Sequence, residues 1–146
     1  MARVAVIFGS KSDEPLLEKV KPIAEFFSLD YTVEILSAHR SHKKLEKRIE
    51  ELEKEGTEVF IGIAGLSAAL PGVIASLTVK PVIGVPVSSK VSLDAILSMV
   101  QMPRGVPVAV VGLDRSDNSI ILACEMLALK DEKLREKLME YKRNME

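Results

Sequence analysis

The chain reads as an α/β protein, a flavodoxin-like three-layer sandwich around a five-stranded parallel sheet of order 2-1-3-4-5. Three observations carry that reading. Short apolar runs recur five times, each followed by a polar or glycine-bearing loop and then by a segment with helical spacing. Of the residues 47% are hydrophobic, yet four Phe, two Tyr and no Trp leave the core to Val, Ile, Leu and Ala, the composition of strands covered on both faces. The length of 146 residues suits one domain able to bury well over half of its unfolded surface without a staple. Residues 1–146 are therefore read as a single domain with a polar C-terminal helix at about 131–146.

Arg3 to Phe8 has a buried-strand composition and turns through Gly9-Ser10-Lys11-Ser12-Asp13 into a first helix marked by Leu16, Leu17, Val20, Ile23, Ala24 and Phe27. Asp13 is placed to cap it, and Pro15 suits its first turn, where the missing N–H has no helical partner anyway. Pro22 should bend or interrupt it, since the ring removes a helical hydrogen bond. The second unit is a strand from Tyr31 to Leu36 and a charged helix from Lys43 to Glu55, closed by Gly56. Its apolar stripe of Leu45, Ile49 and Leu52 is narrow, so its lysines and glutamates face water. A third strand, Val59 to Ala64, leads through Gly65-Leu66-Ser67-Ala68-Ala69-Leu70-Pro71-Gly72 to a helix from Val73 to Leu77. The fourth, Val82 to Val87, precedes Ser88-Ser89-Lys90 and a helix around Leu93 to Val100. The fifth, Val106 to Val111, passes through Leu113-Asp114-Arg115-Ser116-Asp117 to a helix from about Asn118. In the last segment Leu134, Leu138 and Tyr141 share one side, so it crosses its own domain or docks on a neighbour.

A formal charge of −1, with no aromatic positions interleaved among basic ones, gives no case for nucleic acid. The single Cys124 lies in an apolar helical stretch and has no partner for a disulfide or a metal. The beginning of the chain lacks the features of a secretory signal, and no apolar run reaches the length of a membrane span, which predicts a soluble cytoplasmic protein.

Two loops carry the chemistry. Ser37-Ala38-His39-Arg40 follows a mostly apolar run, at the carboxyl edge of the expected sheet, where α/β proteins bind ligands. An imidazole there moves protons near neutral pH, and a guanidinium grips a phosphate or carboxylate by paired hydrogen bonds. A His-Arg pair on a loop also serves as a cap or a surface ion pair. The case for a site comes from the equivalent loop after the first strand, with the hydroxyls of Ser10 and Ser12 and the carboxylate of Asp13. The small residues from Gly65 to Gly72 serve either close helix–sheet packing or backbone N–H groups left open to an anion.

Five segments, in order and spacing, resemble the catalytic-subunit family of phosphoribosylaminoimidazole carboxylase. They are Gly9 to Asp13, Ser37 to Arg40, Leu70-Pro71-Gly72, Pro81 to Val87 and Gln101 to Val108. In its common bacterial class this family converts N5-carboxyaminoimidazole ribonucleotide into 4-carboxy-5-aminoimidazole ribonucleotide in purine biosynthesis. The resemblance runs from about Val4 to Leu129 and implies roles residue by residue. Ser10 and Asp13 would hold the substrate, Asp13 accepting from ribose hydroxyls. Ser12, Ser37 and Arg40 resemble the phosphate and loop-anchoring set, and His39 the general acid/base. Backbone around Gly65 and Leu66 would approach the imidazole and its carboxylate, while Asn118 matches a late-loop asparagine. Gln101 to Gly105 resembles a segment that covers the site and helps build a subunit interface. The resemblance further implies a homo-octamer, CO2 as a confined intermediate, and neither metal nor organic cofactor.

The third loop departs from the family pattern. Where the usual mutase reads Ala-Ala-His-Leu-Pro-Gly, this chain has Ala69 at the histidine. His42 stands where the family commonly has proline; it reads as a first-turn surface histidine, or as a substitute imidazole from the adjacent loop. The departure leaves open direct carboxylation of aminoimidazole ribonucleotide by CO2. That class also lacks the histidine and carries a serine at the position of Ser67, but usually has Lys where Arg40 stands. A carboxylase-like relative that makes a nickel cofactor would not retain Ser37 to Arg40. A non-catalytic nucleotide-binding module on the same fold is the remaining alternative.

Overall fold

The computed structural model describes residues 2–145. Five parallel strands form one sheet: β1 (Val4–Phe8), β2 (Tyr31–Ile35), β3 (Val59–Ala64), β4 (Val82–Pro86) and β5 (Ala109–Val110). Their order is β2-β1-β3-β4-β5, as the sequence predicts. Six α-helices follow the strands: α1 (Leu17–Phe26), α2 (His42–Lys54), α3 (Leu70–Leu77), α4 (Ser92–Val100), α5 (Ser116–Leu127) and α6 (Glu132–Arg143). Every residue of β1, β3 and β4 is buried, because helices cover both faces of the sheet centre.

Alternation along the strands divides the core in two. Val4, Val6 and Phe8 of β1 and Val59, Ile61 and Ile63 of β3 pack with α1, α5 and α6; Ala5, Ile7 and Phe60 pack with α2, α3 and α4. Each large side chain buried this way contributes about 1.5–3 kcal/mol relative to exposure. The last helix docks on its own domain. Leu134 and Leu138 are buried, and Tyr141 stacks edgewise on Phe26 and tilts over Phe27, both ring centroids at 5.4 Å. Its N-cap Asp131 also pairs with Arg3 at 2.6 Å. At the open edge, β2 holds Glu34 to Arg48 of α2 at 2.7 Å; a charged edge discourages strand addition.

Four expectations are corrected. Ser10, not Asp13, is the cap: its hydroxyl accepts from the Ser12 N–H and opens a 3-10 turn, Lys11–Leu16, that contains Asp13 and Pro15. α1 then runs through Pro22 without interruption. β5 is two residues long instead of six, since Pro107 has no N–H for the ladder and the Val106 N–H is turned back to the Pro103 carbonyl at 3.2 Å. α3 begins at Leu70, three residues before the expected Val73, with Pro71 in its first turn. Gly62 of β3 makes that early start possible. A Cβ there would stand 3.0 Å from Pro71 Cγ and 3.3 Å from Ile74 Cδ1, so any larger residue would push the start of α3 outward by a few tenths of an ångström.

Candidate active site

The loops after β1, β2 and β3 leave the carboxyl edge of the sheet together and enclose a cleft of about 360 Å³. Ser10, Ser12 and Asp13 line it from the first loop, Ser37, His39 and Arg40 from the second, and Gly65 and Leu66 from the third. Residues separated by up to 56 positions in the chain thus meet because β1 lies between β2 and β3 in the sheet.

Local bonds set the first two loops. Ser10 Oγ lies 2.9 Å from Ser12 Oγ, and the Asp13 N–H donates to the Ser10 carbonyl at 3.1 Å. Partial burial, reinforced by the Asp114 carboxylate, pushes the Asp13 carboxyl above the usual range. In the second loop Ser37 Oγ accepts from the Arg40 N–H at 3.1 Å and from Arg40 Nε at 3.4 Å, while the Ser41 N–H donates to the Ser37 carbonyl at 3.0 Å. Ser37 is therefore occupied in shaping the loop. His39 and Arg40 are exposed at the cleft, and among the described residues Arg40 forms no ion pair. An unneutralised guanidinium beside an imidazole and a carboxyl is suited to an anionic ligand that gains and loses protons.

The third loop works differently. Ser67 adopts the left-handed conformation, φ 49°, and its N–H donates to Asp94 Oδ2 of α4 at 2.6 Å. The Ala69 N–H then donates to the Ser67 carbonyl at 2.6 Å. Ala69 lines the cleft, so the missing imidazole is missing from the cleft wall itself. His42 does not replace it: it is the first residue of α2, exposed and outside the lining.

Two further expectations are not met within this chain. Asn118 sits exposed in the first turn of α5, away from the cleft lining. The segment Gln101 to Gly105 also lies outside it; Met102 and Pro103 instead line an apolar groove of about 320 Å³ with Val73, Val106 and Ala69, the last of which also lines the cleft. Sequence reasoning missed Asp94 and Asp114. Asp114, at φ 58°, accepts from the Ser88 N–H at 2.8 Å and from the Ser88 hydroxyl, and its carbonyl accepts from Lys19 Nζ at 3.0 Å. Burial pushes its carboxyl up, but the two Ser88 donors and the Lys19 charge together outweigh that and hold it below the usual range. A polar residue at a left-handed loop position is a known habit of Asp, yet nothing in sequence alone marks the partner.

Cys124 is fully buried in α5, and burial pushes its thiol up to about 12, which makes it a packing residue and not a nucleophile. Among the described residues no group of three or more His, Cys, Asp or Glu is placed to hold a metal ion, and no helix is long and apolar enough to cross a membrane.

Comparison with known proteins places the whole chain. The chain is 51% identical over 143 residues to the N5-carboxyaminoimidazole ribonucleotide mutase of Methanocaldococcus jannaschii, spanning 97% of this chain and 89% of that protein. It is 40% identical over 146 residues to the Escherichia coli protein of the same name, spanning 97% and 86%. The crystal structure of Treponema denticola PurE superposes with a TM-score of 0.88 at 27% identity, covering 97% of this chain and 89% of that one. A family model described as AIR carboxylase matches residues 3–146. With a family model matching residues 3–146 and relatives 40–51% identical over nearly its whole length, the chain belongs to the AIR carboxylase family.

Proposed function

We propose that the chain interconverts N5-carboxyaminoimidazole ribonucleotide and 4-carboxy-5-aminoimidazole ribonucleotide in purine biosynthesis, with His39 as the general acid/base. The observation that carries this is the meeting of His39, Arg40 and Asp13 in one cleft, and the names of the similar proteins support it. In this reading Arg40 holds the phosphate, Ser10 and Asp13 the ribose, and Ser12 and Ser37 anchor their loops. Backbone at Gly65 and Leu66 faces the imidazole ring. Asn118 joins the substrate set only if a neighbouring subunit or a loop movement brings it near.

The steps follow from those positions. The N–C bond of the carbamate breaks, its electron pair returns to the exocyclic nitrogen, and His39 supplies the proton that nitrogen takes up. The aminoimidazole is then an enamine-like nucleophile whose C4 attacks the released CO2. The proton on C4 leaves to His39, which ends as it began. A single imidazole serves both transfers because it gives and takes a proton near neutral pH. The cleft contributes by keeping CO2 beside C4, a proximity effect that needs no metal or organic cofactor.

Direct carboxylation of aminoimidazole ribonucleotide is the second reading, favoured by one observation: the cleft wall at Ala69 lacks an imidazole. One assay separates the two. Purified protein is offered the carbamate, or aminoimidazole ribonucleotide with bicarbonate, and product is followed by absorbance. Turnover of the carbamate at low bicarbonate supports the mutase; turnover only with added bicarbonate supports the carboxylase.

Association with further copies, an octamer by the resemblance, belongs to the same proposal, as does a cytoplasmic place. On α4 the side chains of Leu93, Leu97 and Val100 are 65%, 43% and 52% exposed on one stripe, continuous with the segment Gln101 to Gly105. Burying such a stripe removes apolar area from water. Light scattering gives the mass in solution, and a monomeric mass sets the association aside.

A further inference from the structure

We propose that Asp94 is a positioning residue for the proposed reaction: from α4 its carboxylate holds the loop after β3 in the shape that forms the third wall of the cleft. The inference rests on the functional reading above and extends it to a residue that touches no substrate.

Ser67 is the pivot. It lies in the left-handed region, at φ 49°, where an L side chain crowds its own backbone and a fixed hydrogen-bond partner offsets the cost. That partner is Asp94 Oδ2, 2.6 Å from the Ser67 nitrogen, and a hydrogen bond to an ionised acceptor is among the stronger kinds. The turn it fixes directs the Ser67 carbonyl to the Ala69 N–H at 2.6 Å, which joins the loop to the start of α3. Immediately upstream, Gly65 and Leu66 line the cleft, with Leu66 67% exposed. Loss of the carboxylate frees Ser67 to relax toward right-handed backbone and moves Gly65 and Leu66 relative to His39 across the cleft.

Asp94 itself is well held. It lies in the first turn of α4, its N–H donates to the Val91 carbonyl at 3.0 Å, and its carbonyl accepts from Ser98 Oγ at 2.7 Å. An acid in the first turn of a helix also has an ordinary role, stabilising the helix dipole. The two roles differ in what they need: the dipole needs the negative charge, whereas Ser67 needs only an acceptor in place.

Asp94→Asn keeps an acceptor and removes the charge; Asp94→Ala removes both. The positioning role predicts that Asp94→Ala lowers kcat by about tenfold to a hundredfold, the scale of a small misplacement around reacting atoms, with KM changed less. Asp94→Asn should stay within about threefold of wild type, because its amide oxygen still receives the Ser67 N–H. Wild-type kcat in Asp94→Ala, or equal losses in both variants, overturns the proposal. Amide exchange in the unaltered protein gives a check independent of folding of any variant: the Ser67 N–H should exchange more slowly than that of Leu66, and equal rates overturn the contact. A wild-type protein that turns over neither substrate removes the functional reading instead, which keeps the two failures apart.

Discussion

Two walls of the same cleft are built on opposite principles. The loops after β1 and β2 present side chains, namely Ser10, Asp13, Ser37, His39 and Arg40, and each loop is fixed by bonds to residues two to four positions away. The loop after β3 presents only small or apolar residues, Gly65, Leu66, Ser67 and Ala69, and is fixed by Asp94, 27 positions along the chain. One wall does its work through functional groups, the other through shape. Replacing a residue therefore disables the first wall, whereas the second yields only to removal of its prop.

The largest effect should come from the side-chain wall. His39→Asn keeps a hydrogen-bonding group but cannot cycle a proton, so turnover should fall by about 10²–10⁴-fold, the usual contribution of a positioned acid/base. The fold should persist, since His39 is exposed. Circular dichroism checks the fold and the absorbance assay checks turnover; substantial turnover in the variant would take His39 out of the reaction.

Next comes Arg40→Ala. A charge-assisted contact to an anion is worth about 1.5–3 kcal/mol, which corresponds to roughly tenfold to a hundredfold in binding. The loss should fall on the phosphorylated ribonucleotide and spare the corresponding nucleoside. Calorimetry with both ligands distinguishes phosphate recognition from loop shaping, which would weaken both alike through the bonds between Arg40 and Ser37.

The contrast also explains what could be read in the sequence. The five strands and their order were legible because Val-rich runs, helical spacing and right-handed crossovers leave few topologies. The side-chain wall was legible for a related reason: titratable and hydroxylic residues on loops at the carboxyl edge of a parallel sheet are rare enough to stand out. The wall after β3 was not. Its shape depends on Ser67 being left-handed and on a carboxylate from α4, and neither has a signature in the residues Gly65 to Ala69. Boundaries erred where tertiary contact overrode local preference. The close approach of Pro71 to Gly62 starts α3 early, and Pro107 keeps most of the expected fifth strand off the ladder. Asn118 was carried by resemblance alone, and one chain does not bring it to the cleft.

A smaller effect, on stability, is expected at Asp13. Burial, and then Asp114, raise its carboxyl above the unfolded value, so the folded state binds the proton more tightly than the unfolded chain does. Stability attached to this group is present at low pH and is lost as pH rises from about 3.9 through the folded pKa. At neutral pH the ionised carboxylate opposes folding. Asp13→Asn should therefore raise Tm at pH 7 while weakening ribonucleotide binding, and the gain should vanish well below about pH 3.9, where the Asp13 carboxyl is protonated in the folded and unfolded states alike. A melting series across pH 3 to 7 tests the sign.

The smallest effect is expected where the family difference is most visible. Ala69 lies in the wall that works by shape, and His42 is exposed at the start of α2, outside the cleft. Truncation of His42 to alanine should change turnover by no more than about twofold, as for most surface substitutions. If the third wall needs no imidazole, Ala69→His should neither rescue nor depend on His42. The double variant should then equal the sum of the single ones within about 0.5 kcal/mol. Coupling beyond that would mean that His42 reaches the cleft during turnover and shares a task with position 69. The comparison between the walls would have to change accordingly, because the wall built on shape would then be borrowing a side chain from its neighbour.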